Sequence, residues 1–365
     1  MARTTLARQV EERAKKELHE EPETYTTNDL IPTGSTLLNL ALSDNPYGGW
    51  RKGRMVNVIG DSSAGKSFMA LTTFAEANGL KRLDNYQFIY DDAEHANSFN
   101  MNKLFGPSTA KRIKAPSYTE EGEPINSTLV EDFHDYIDRL LKKKEHFIYI
   151  LDSFDSISTE ADEDKTEEML ENRRKGKDTK GSYGMAKAKK ASDILRYVCG
   201  KLEKTESMLN IISQTRDNID PMSFSKKTRS GGKALKFYAT HELWLAGAGA
   251  IKKKDRIIGT RCAIKVSKNK LTGKVREVEF PIYYDYGIDN IGSCIDFMIK
   301  EKFWKGGGNA KIEFGGTWDL TNCTKEKLIA TIEEQNLERK LAKIVGEAWF
   351  EIEDSLKLGR KSKYK

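Results

Sequence analysis

Cysteines are scarce in this sequence, and long apolar runs are missing. The 365 residues include four cysteines with no CxxC pair among them: Cys199, Cys262, Cys294 and Cys323. This spacing argues against a zinc knuckle or a disulfide framework and is typical of a reducing compartment. No stretch approaches the roughly 18 uninterrupted apolar residues of a membrane-spanning helix. The N-terminal residues lack the apolar core of a secretory signal, so we expect a cytoplasmic protein without membrane association.

The net charge is small although the sequence is rich in charge. Lys and Arg number 61 and Asp and Glu 55, which gives a net charge of +6, and charged residues make up 32% of the chain. This composition indicates a heavily charged surface with some solvated segments. The net charge permits nucleic-acid binding but does not require it. The length predicts one main domain of about 200 to 270 residues with one or two appendages.

We divide the sequence into three parts. Residues 1–30 are an N-terminal helical arm and linker, residues 31–289 form the core, and residues 290–365 form a small α+β domain with a basic tail. In the arm, apolar residues recur at every fourth position from Leu6 to Leu18, which predicts a helix with a narrow apolar stripe. This helix either lies on its own domain or packs on a neighbouring subunit as an oligomerisation arm.

The core alternates short β-branched runs with helical stretches. The candidate strands are Met55–Ile59, Tyr86–Asp91, Phe147–Leu151, Leu209–Ser213, His241–Ala246, Arg261–Val266 and Glu277–Tyr283. The first four are separated by segments long enough for crossover helices, which predicts an α/β fold with a mostly parallel sheet. The last three are close together and predict a hairpin-rich edge. Residues 160–180 hold an acidic block followed by a basic block, which predicts a helical or mobile surface excursion.

A phosphate-binding loop is the strongest motif in the sequence. It has the pattern GxxxxGK[ST] and consists of Gly60, Asp61, Ser62, Ser63, Ala64, Gly65, Lys66 and Ser67. The motif follows a predicted strand and precedes a helical run, which is the context it requires. Backbone N–H groups and the helix N-terminus attract phosphate oxygens. We expect Lys66 to reach the β- and γ-phosphates and Ser67 to ligate Mg²⁺.

Hydrolysis also requires acidic residues beside the phosphates. Asp152 follows the apolar strand Phe147–Leu151, at the carboxyl end where ligands bind in open α/β sheets, and we expect it to act on the Mg²⁺ side. The alternative for Asp152 is a helix cap or a turn residue. A second strand runs into Asp91, Asp92 and Glu94, and the spacing alone does not decide which acid faces the γ-phosphate.

Six segments in order resemble the RecA family of recombinases, including its bacterial and phage (UvsX-type) members. The resemblance covers about residues 31–303, and the segments are 32–42, 92–96, 212–216, 231–239, 266–270 and 287–302. It implies an α/β fold with a RecA-type P-loop NTPase core, a mostly parallel sheet, an N-terminal helical arm and a small α+β C-terminal domain. It also implies a DNA-dependent ATPase that uses ATP and Mg²⁺.

The resemblance assigns roles to individual residues. Within Asp92-Ala-Glu-His-Ala96, Glu94 takes the role of positioning and activating the attacking water. Gln214 takes the role of the γ-phosphate sensor, and Lys268 and Lys270 take the role of reaching a neighbouring subunit's nucleotide. The family's adenine-stacking tyrosine is missing, and Phe99 or Met101 is its expected substitute.

Two segments are predicted to bind DNA. The second and longer loop lacks any period and carries Arg216, Phe224, Lys226, Lys227, Arg229, Gly231 and Gly232. Basic residues beside a hydrophobic side chain suit a DNA backbone with partly unstacked bases. The first loop is expected at Tyr183, Gly184 and Met185. The alternative for the longer segment is a disordered basic surface loop.

The leading hypothesis is an ATP-dependent recombinase that forms a helical homo-oligomeric filament on single-stranded DNA and exchanges strands with double-stranded DNA. Single-strand-binding and loader proteins are further expected partners. The alternatives are a ring helicase on the same core and a regulatory relative that binds ATP and DNA without strand exchange. The basic C-terminus and the modest size favour a phage source.

Overall fold

A computed structural model describes most of the chain, namely residues 25–176, 185–217, 227–229, 232–308 and 310–360. The helix predicted for the N-terminal arm lies outside these ranges, as do the last five residues of the basic tail. None of the helices within the ranges is long and apolar enough to cross a membrane.

The strands of the described chain are short at its two ends and long in the second half of the core. They are β1 Leu30–Ile31, β2 Trp50–Arg51, β3 Met55–Gly60, β4 Gln87–Asp91, β5 Ile113–Lys114, β6 Ser117–Tyr118, β7 Pro124–Ile125, β8 Phe147–Leu151, β9 Met208–Asp217, β10 Lys227–Arg229, β11 His241–Lys253, β12 Arg256–Asn269, β13 Arg276–Tyr283, β14 Gly287–Ile288, β15 Lys305–Gly307 and β16 Ala310–Glu313.

In the described part of the chain, ten of these strands form one sheet in the order β14-β13-β12-β11-β3-β9-β8-β4-β5, with β10 paired to β9. The strands from β11 to β5 run parallel. The hairpin β11–β12 and the strands β13 and β14 add an antiparallel edge. The predicted mostly parallel sheet with a hairpin-rich edge is therefore confirmed.

Helices cover both faces of this sheet. They are α1 Thr36–Ser43, α2 Lys66–Asn78, α3 Met101–Phe105, α4 Pro107–Arg112, α5 Val130–Lys142, α6 Glu160–Arg174, α7 Met185–Leu202, α8 Gly232–Tyr238, α9 Asn290–Lys300, α10 Lys325–Glu334 and α11 Glu338–Ser355. Two short 3₁₀ helices lie at Thr27–Asp29 and Lys81–Leu83.

Alternation along the central strands separates two apolar cores. In β8, Ile148 and Ile150 face one cluster with Phe74 of α2, while Phe147 and Tyr149 face the other cluster. The second cluster includes the buried face of α5, on which apolar residues recur from Val130 to Leu141. Because both faces of the central strands are covered, these strands are continuous apolar runs, as parallel strands usually are.

The C-terminal residues pack onto the first cluster. Trp304 and Ile344 lie in the same apolar cluster as Phe74 of the core. The Arg276 guanidinium of β13 also bridges Glu353 of α11 at 2.8 Å. The expected division of the chain at residue 290 stays a prediction.

The charged segment 160–180 is helical in its first part. Helix α6 begins at Glu160, and the Thr159 side chain caps it by accepting a hydrogen bond from the Asp162 N–H. No residue of α6 is buried, so this helix is a surface excursion, as the composition indicates. Residues 177–184 lie outside the described ranges.

Candidate active site

The phosphate loop connects the carboxyl end of β3 to the N-terminus of α2. Gly65 has a φ of +89°, and a Cβ at this position would lie 3.0 Å from the Ile282 Cδ1 atom. A Cβ on Gly60 would lie 2.6 Å from the Leu245 carbonyl oxygen. Both positions therefore require glycine, and the tight turn places the first backbone N–H groups of α2 at the open end of the loop. This cradle fits a polyphosphate.

Lys66 lies inside this loop and is only 7% exposed. Its Nζ donates a hydrogen bond to the Asp61 carbonyl oxygen at 2.7 Å. Burial lowers the pKa of Lys66, and the negative charges of Asp152 and Glu94 oppose this shift. A partly desolvated ammonium that faces the open loop fits the binding of phosphate oxygens.

Asp152 follows β8, as expected, and is buried beside the phosphate loop. The Tyr90 hydroxyl donates to its Oδ2 at 3.0 Å. Burial raises the pKa of Asp152, and hydrogen bonds from Ser67 and Tyr90 counteract this rise. The Ser67 hydroxyl and the Asp152 carboxylate thus place two oxygen atoms side by side, and oxygen is the type of ligand that Mg²⁺ prefers.

Glu94 and Gln214 meet at the centre of the site. The Glu94 Oε1 atom accepts hydrogen bonds from the Gln214 Nε2 at 2.8 Å and from the Ser153 Oγ at 2.7 Å. The Gln214 backbone N–H donates to Asp155 Oδ2 at 2.6 Å. The carboxyl ends of β4, β8 and β9 hold these groups at one edge of the sheet, together with the phosphate loop.

The structure separates the three acids that follow β4. Asp91 is fully buried, and its carboxylate accepts bonds from the Ser127 N–H at 2.8 Å and the Tyr149 hydroxyl at 2.6 Å. Asp92 accepts a bond from the Asn97 N–H at 3.2 Å. Asp91 therefore stabilises the fold, and of these three acids, in the part described, Glu94 is the one that bonds Gln214.

Beyond Gln214, strand β9 leaves the site and enters the longer predicted DNA loop. β10 returns antiparallel to it, with Arg229 opposite Thr215 and Lys227 opposite Asp217. Arg216 is exposed and lies 4.0 Å from the Asp155 carboxylate. Lys227 pairs with the Asp61 carboxylate of the phosphate loop. Sequence reasoning missed this last contact because the two residues are 166 positions apart.

Arg229, for which DNA contact stays a prediction, is paired with a buried carboxylate in the structure. Its guanidinium pairs with the buried Glu242 carboxylate, which also accepts hydrogen bonds from the Trp244 indole N–H and the Ser267 hydroxyl. Only 10% of the Arg229 side chain is exposed. A buried charge requires its partner, so this geometry supports a role for Arg229 in anchoring the loop.

Other expected DNA residues are only partly covered by the described ranges. Met185 begins α7, and Gly232 begins α8 with a φ of +72°. The residues that lie outside the description are Tyr183, Gly184, Phe224, Lys226 and Gly231. For these residues, DNA binding stays a prediction.

Lys268 and Lys270 lie away from the phosphate loop of their own chain. Lys268 is opposite Glu242 at the start of β11, whereas the phosphate loop follows the far end of β3. Both ammonium groups donate to the Phe237 carbonyl oxygen, at 3.0 and 3.2 Å, and Phe237 is 70% exposed. Burial and the nearby Lys270 lower the pKa of Lys268 to about 8. Their contact with a neighbouring subunit's nucleotide stays a prediction.

The fold and the site define a P-loop NTPase of the α/β class. The chain matches the RecA N-terminal domain over residues 6–289. It is 30% identical to Protein RecA of Colwellia psychrerythraea over 311 residues, which cover 83% of this chain and 77% of the relative. It is 33% identical to Protein RecA of Brucella canis and of Brucella abortus over 302 residues, 81% of this chain and 72% of each relative.

The chain therefore belongs to the RecA family. It is a DNA-dependent ATPase and a RecA-type recombinase of DNA recombination and repair, and it uses ATP with Mg²⁺. ATP fits the glycine cradle with its buried Lys66, and Mg²⁺ fits the adjacent oxygens of Ser67 and Asp152.

Proposed function

We propose that this chain polymerises on single-stranded DNA as a helical filament and catalyses homologous pairing and strand exchange with double-stranded DNA. The contact between Glu94 and Gln214 carries this proposal, because it joins the water-activating acid of the ATPase site to the start of the longer DNA loop. A nucleotide-dependent change at Gln214 would alter the loop, and DNA on the loop would alter Glu94.

Each residue of the site has a separate proposed role in ATP hydrolysis. Bound ATP with Mg²⁺ supplies the γ-phosphoryl group and part of the charge neutralisation. Lys66 would bind phosphate oxygens, and Ser67 and Asp152 would bind Mg²⁺. Glu94 orients a water and accepts its proton, for which the bond from Ser153 fixes the carboxylate. Gln214 senses whether a γ-phosphate is present.

The proposed interface role of Lys268 and Lys270 supports assembly of the chain into a homo-oligomer. These two residues lie at the end of β12 and directly after it, where Lys268 is opposite Glu242 of β11. If they offset charge on a neighbour's nucleotide, the interface is heterologous, and such an interface builds a ring or an open helix. An ATPase that needs its neighbour is expected to be slow as a free monomer.

The exposed ring of Phe99, which lies 6.0 Å from the Phe68 ring, favours it over the partly buried Met101 as the base-stacking residue. The proposed DNA-binding residues are those predicted from the sequence: Tyr183, Gly184, Met185, Arg216, Phe224, Lys226, Lys227, Arg229, Gly231 and Gly232. Single-strand-binding and loader proteins, a cytoplasmic location and a phage source stay predictions.

A strand-exchange assay with electron microscopy tests the proposal. The wild-type chain, ATP and Mg²⁺ are mixed with circular single-stranded DNA and homologous linear duplex. We expect joint molecules and helical filaments. Heterologous duplex should give no joint molecules, and Lys66→Ala should form no filaments. Closed rings that unwind duplex DNA would favour the helicase, and filaments without joint molecules would favour the regulatory relative.

A further inference from the structure

Asp61, the second residue of the phosphate loop, is bound to the DNA loop through its side chain. The Thr215 hydroxyl donates to its Oδ1, and the Lys227 ammonium pairs with its Oδ2. The backbone carbonyl of the same residue accepts the bond from Lys66 at 2.7 Å. One residue thus contacts both the phosphate-binding lysine and two residues of the loop proposed to bind DNA.

These contacts hold a specific part of that loop. Thr215 directly follows Gln214 in β9, and Lys227 is the first residue of β10. At its other end, β10 is anchored by the pair between Arg229 and the buried Glu242. The partner of Arg229 is a buried carboxylate of β11, inside the sheet, whereas Asp61 belongs to the nucleotide site.

The Asp61 anchor is weak enough to open. The side chains of Asp61 and Lys227 are 48% and 47% exposed, and exposed ion pairs contribute little to stability because water and salt screen them. The pairing with Lys227 and the bond from Thr215 hold the pKa of Asp61 below its usual range, so the carboxylate is charged at neutral pH. A DNA phosphate can therefore compete with Asp61 for the Lys227 ammonium.

We propose that Asp61 is a positioning residue that holds Lys227 away from DNA until the phosphate loop is filled. The inference rests on the proposed DNA-binding role of the longer loop. When Lys66 turns to phosphate oxygens it leaves the Asp61 carbonyl, so the backbone of Asp61 loses a tether and its carboxylate acquires negative neighbours. Lys227 then exchanges Asp61 for a DNA phosphate. This path from the nucleotide to the loop is separate from the one through Gln214.

Asp61→Asn tests this inference, because the amide oxygen can still accept the Thr215 bond while the amide nitrogen cannot pair with Lys227. Affinity for a fluorescent single-stranded oligonucleotide is measured against salt concentration, without nucleotide and with AMP-PNP and Mg²⁺. Without nucleotide, we expect the variant to bind about two- to fivefold more tightly than wild type, as for release of one exposed ion pair. Its salt slope should be steeper by about 0.7, the value for one added phosphate contact on a single strand.

We call the pair between Asp61 and Lys227 the latch. The control variants distinguish its release from a general change in charge. Glu326→Gln removes the same charge from an exposed position of α10 and should leave affinity and slope close to wild type. Lys227→Ala should weaken binding with AMP-PNP, and in its background Asp61→Asn should have no further effect. Thermal melting of each variant checks that it is folded.

The outcomes distinguish the latch from the function on which it rests. If Asp61→Asn matches wild type without nucleotide, or if its effect persists in the Lys227→Ala background, the latch is wrong while DNA binding by the loop stands. If Lys227→Ala binds as wild type does with AMP-PNP, Lys227 is not a DNA contact. That result overturns the proposed loop and the latch together.

Discussion

The side chains of Glu94 and Gln214 are hydrogen-bonded at 2.8 Å although they are 120 positions apart in the sequence. Glu94 follows β4 and Gln214 lies in β9, and β8 lies between these strands in the sheet. The contact spans the carboxyl edge where the phosphate loop also opens. It therefore joins the ATPase site to a loop that leaves the sheet at this edge.

Gln214→Ala should uncouple DNA binding from the nucleotide. The variant loses the bond to Glu94. We therefore expect the fold-change in affinity for single-stranded DNA caused by AMP-PNP to be at least tenfold smaller in the variant than in wild type, which lies within the usual range of coupling energies. Fluorescence anisotropy with and without AMP-PNP measures this. Gln87→Ala is the matched control, because it removes another Gln–Glu bond, to Glu145 at 2.7 Å, outside the site. A Gln214→Ala protein that still responds fully to AMP-PNP would contradict the coupling.

Gly65→Ala should destabilise the chain and abolish nucleotide binding. The residue has a φ of +89°, and its new Cβ would meet Ile282 at 3.0 Å. We expect a loss of about 1–2 kcal/mol in the free energy of unfolding, the usual cost of a left-handed residue with a Cβ. Gly122→Ala is the control, since its φ is +87° but no atom lies within 4 Å of the new Cβ. Titration with a fluorescent ATP analogue should show binding in the control and none in Gly65→Ala. Equal binding by both would argue against the glycine cradle.

Lys268 should produce an alkaline limb in the pH profile of DNA-stimulated hydrolysis. Burial lowers the pKa of this ammonium to about 8, so its positive charge is complete well below pH 8 and is lost as the pH rises through that value. We expect activity to fall along the same limb. Lys268→Arg keeps the charge and should shift the limb to higher pH. The control Lys343→Arg, on an exposed face of α11, should keep the limb of wild type, and an unshifted limb in Lys268→Arg would exclude Lys268 as its origin.

His241 should make the fold sensitive to acid. It is fully buried at the start of β11, and burial lowers its pKa from 6.5 to about 4, against the opposing effect of hydrogen bonds with the Leu42 backbone and the Asn269 side chain. The unfolded chain therefore binds this proton more readily. The free energy of unfolding therefore does not depend on His241 protonation well above pH 6.5, and this protonation lowers it by about 3 kcal/mol as the pH decreases to 4.

Urea unfolding at several pH values measures this dependence. His241→Val should be less stable at neutral pH but should lose less stability between pH 6.5 and 4. His95→Asn, which changes an exposed histidine at a φ of +51°, should keep the wild-type dependence. The same loss on acidification in His241→Val and wild type would assign the acid sensitivity to other groups.

Local patterns predicted the parts of the site that lie within one segment. The phosphate loop is a contiguous motif, and Asp152 ends an apolar strand, so both could be found from spacing. The choice of Glu94 over Asp91 required the resemblance, because spacing does not reveal that Ser127 and Tyr149 bury the Asp91 carboxylate.

Contacts between distant segments could not be predicted. Nothing near Asp61 in the sequence indicates Lys227, and nothing near Arg229 indicates that Glu242 is its buried partner. The hairpin β11–β12 is also longer than the predicted strands, which ended at Ala246 and began again at Arg261. Its outer part is exposed and partly Gly–Ala in sequence, so backbone pairing extends it without an apolar pattern.

Mg²⁺-dependent ATP hydrolysis with and without single-stranded DNA is the most direct test of coupling at Glu94. The wild type should hydrolyse ATP much faster with DNA. Glu94→Gln should bind ATP but lose about 100-fold or more of the stimulated rate, as expected for loss of a general base. Glu145→Gln, which changes a glutamate bonded to a glutamine outside the site, should keep the stimulation. Hydrolysis that is indifferent to DNA, or that survives the loss of Glu94, would contradict the proposed coupling between DNA binding and Glu94.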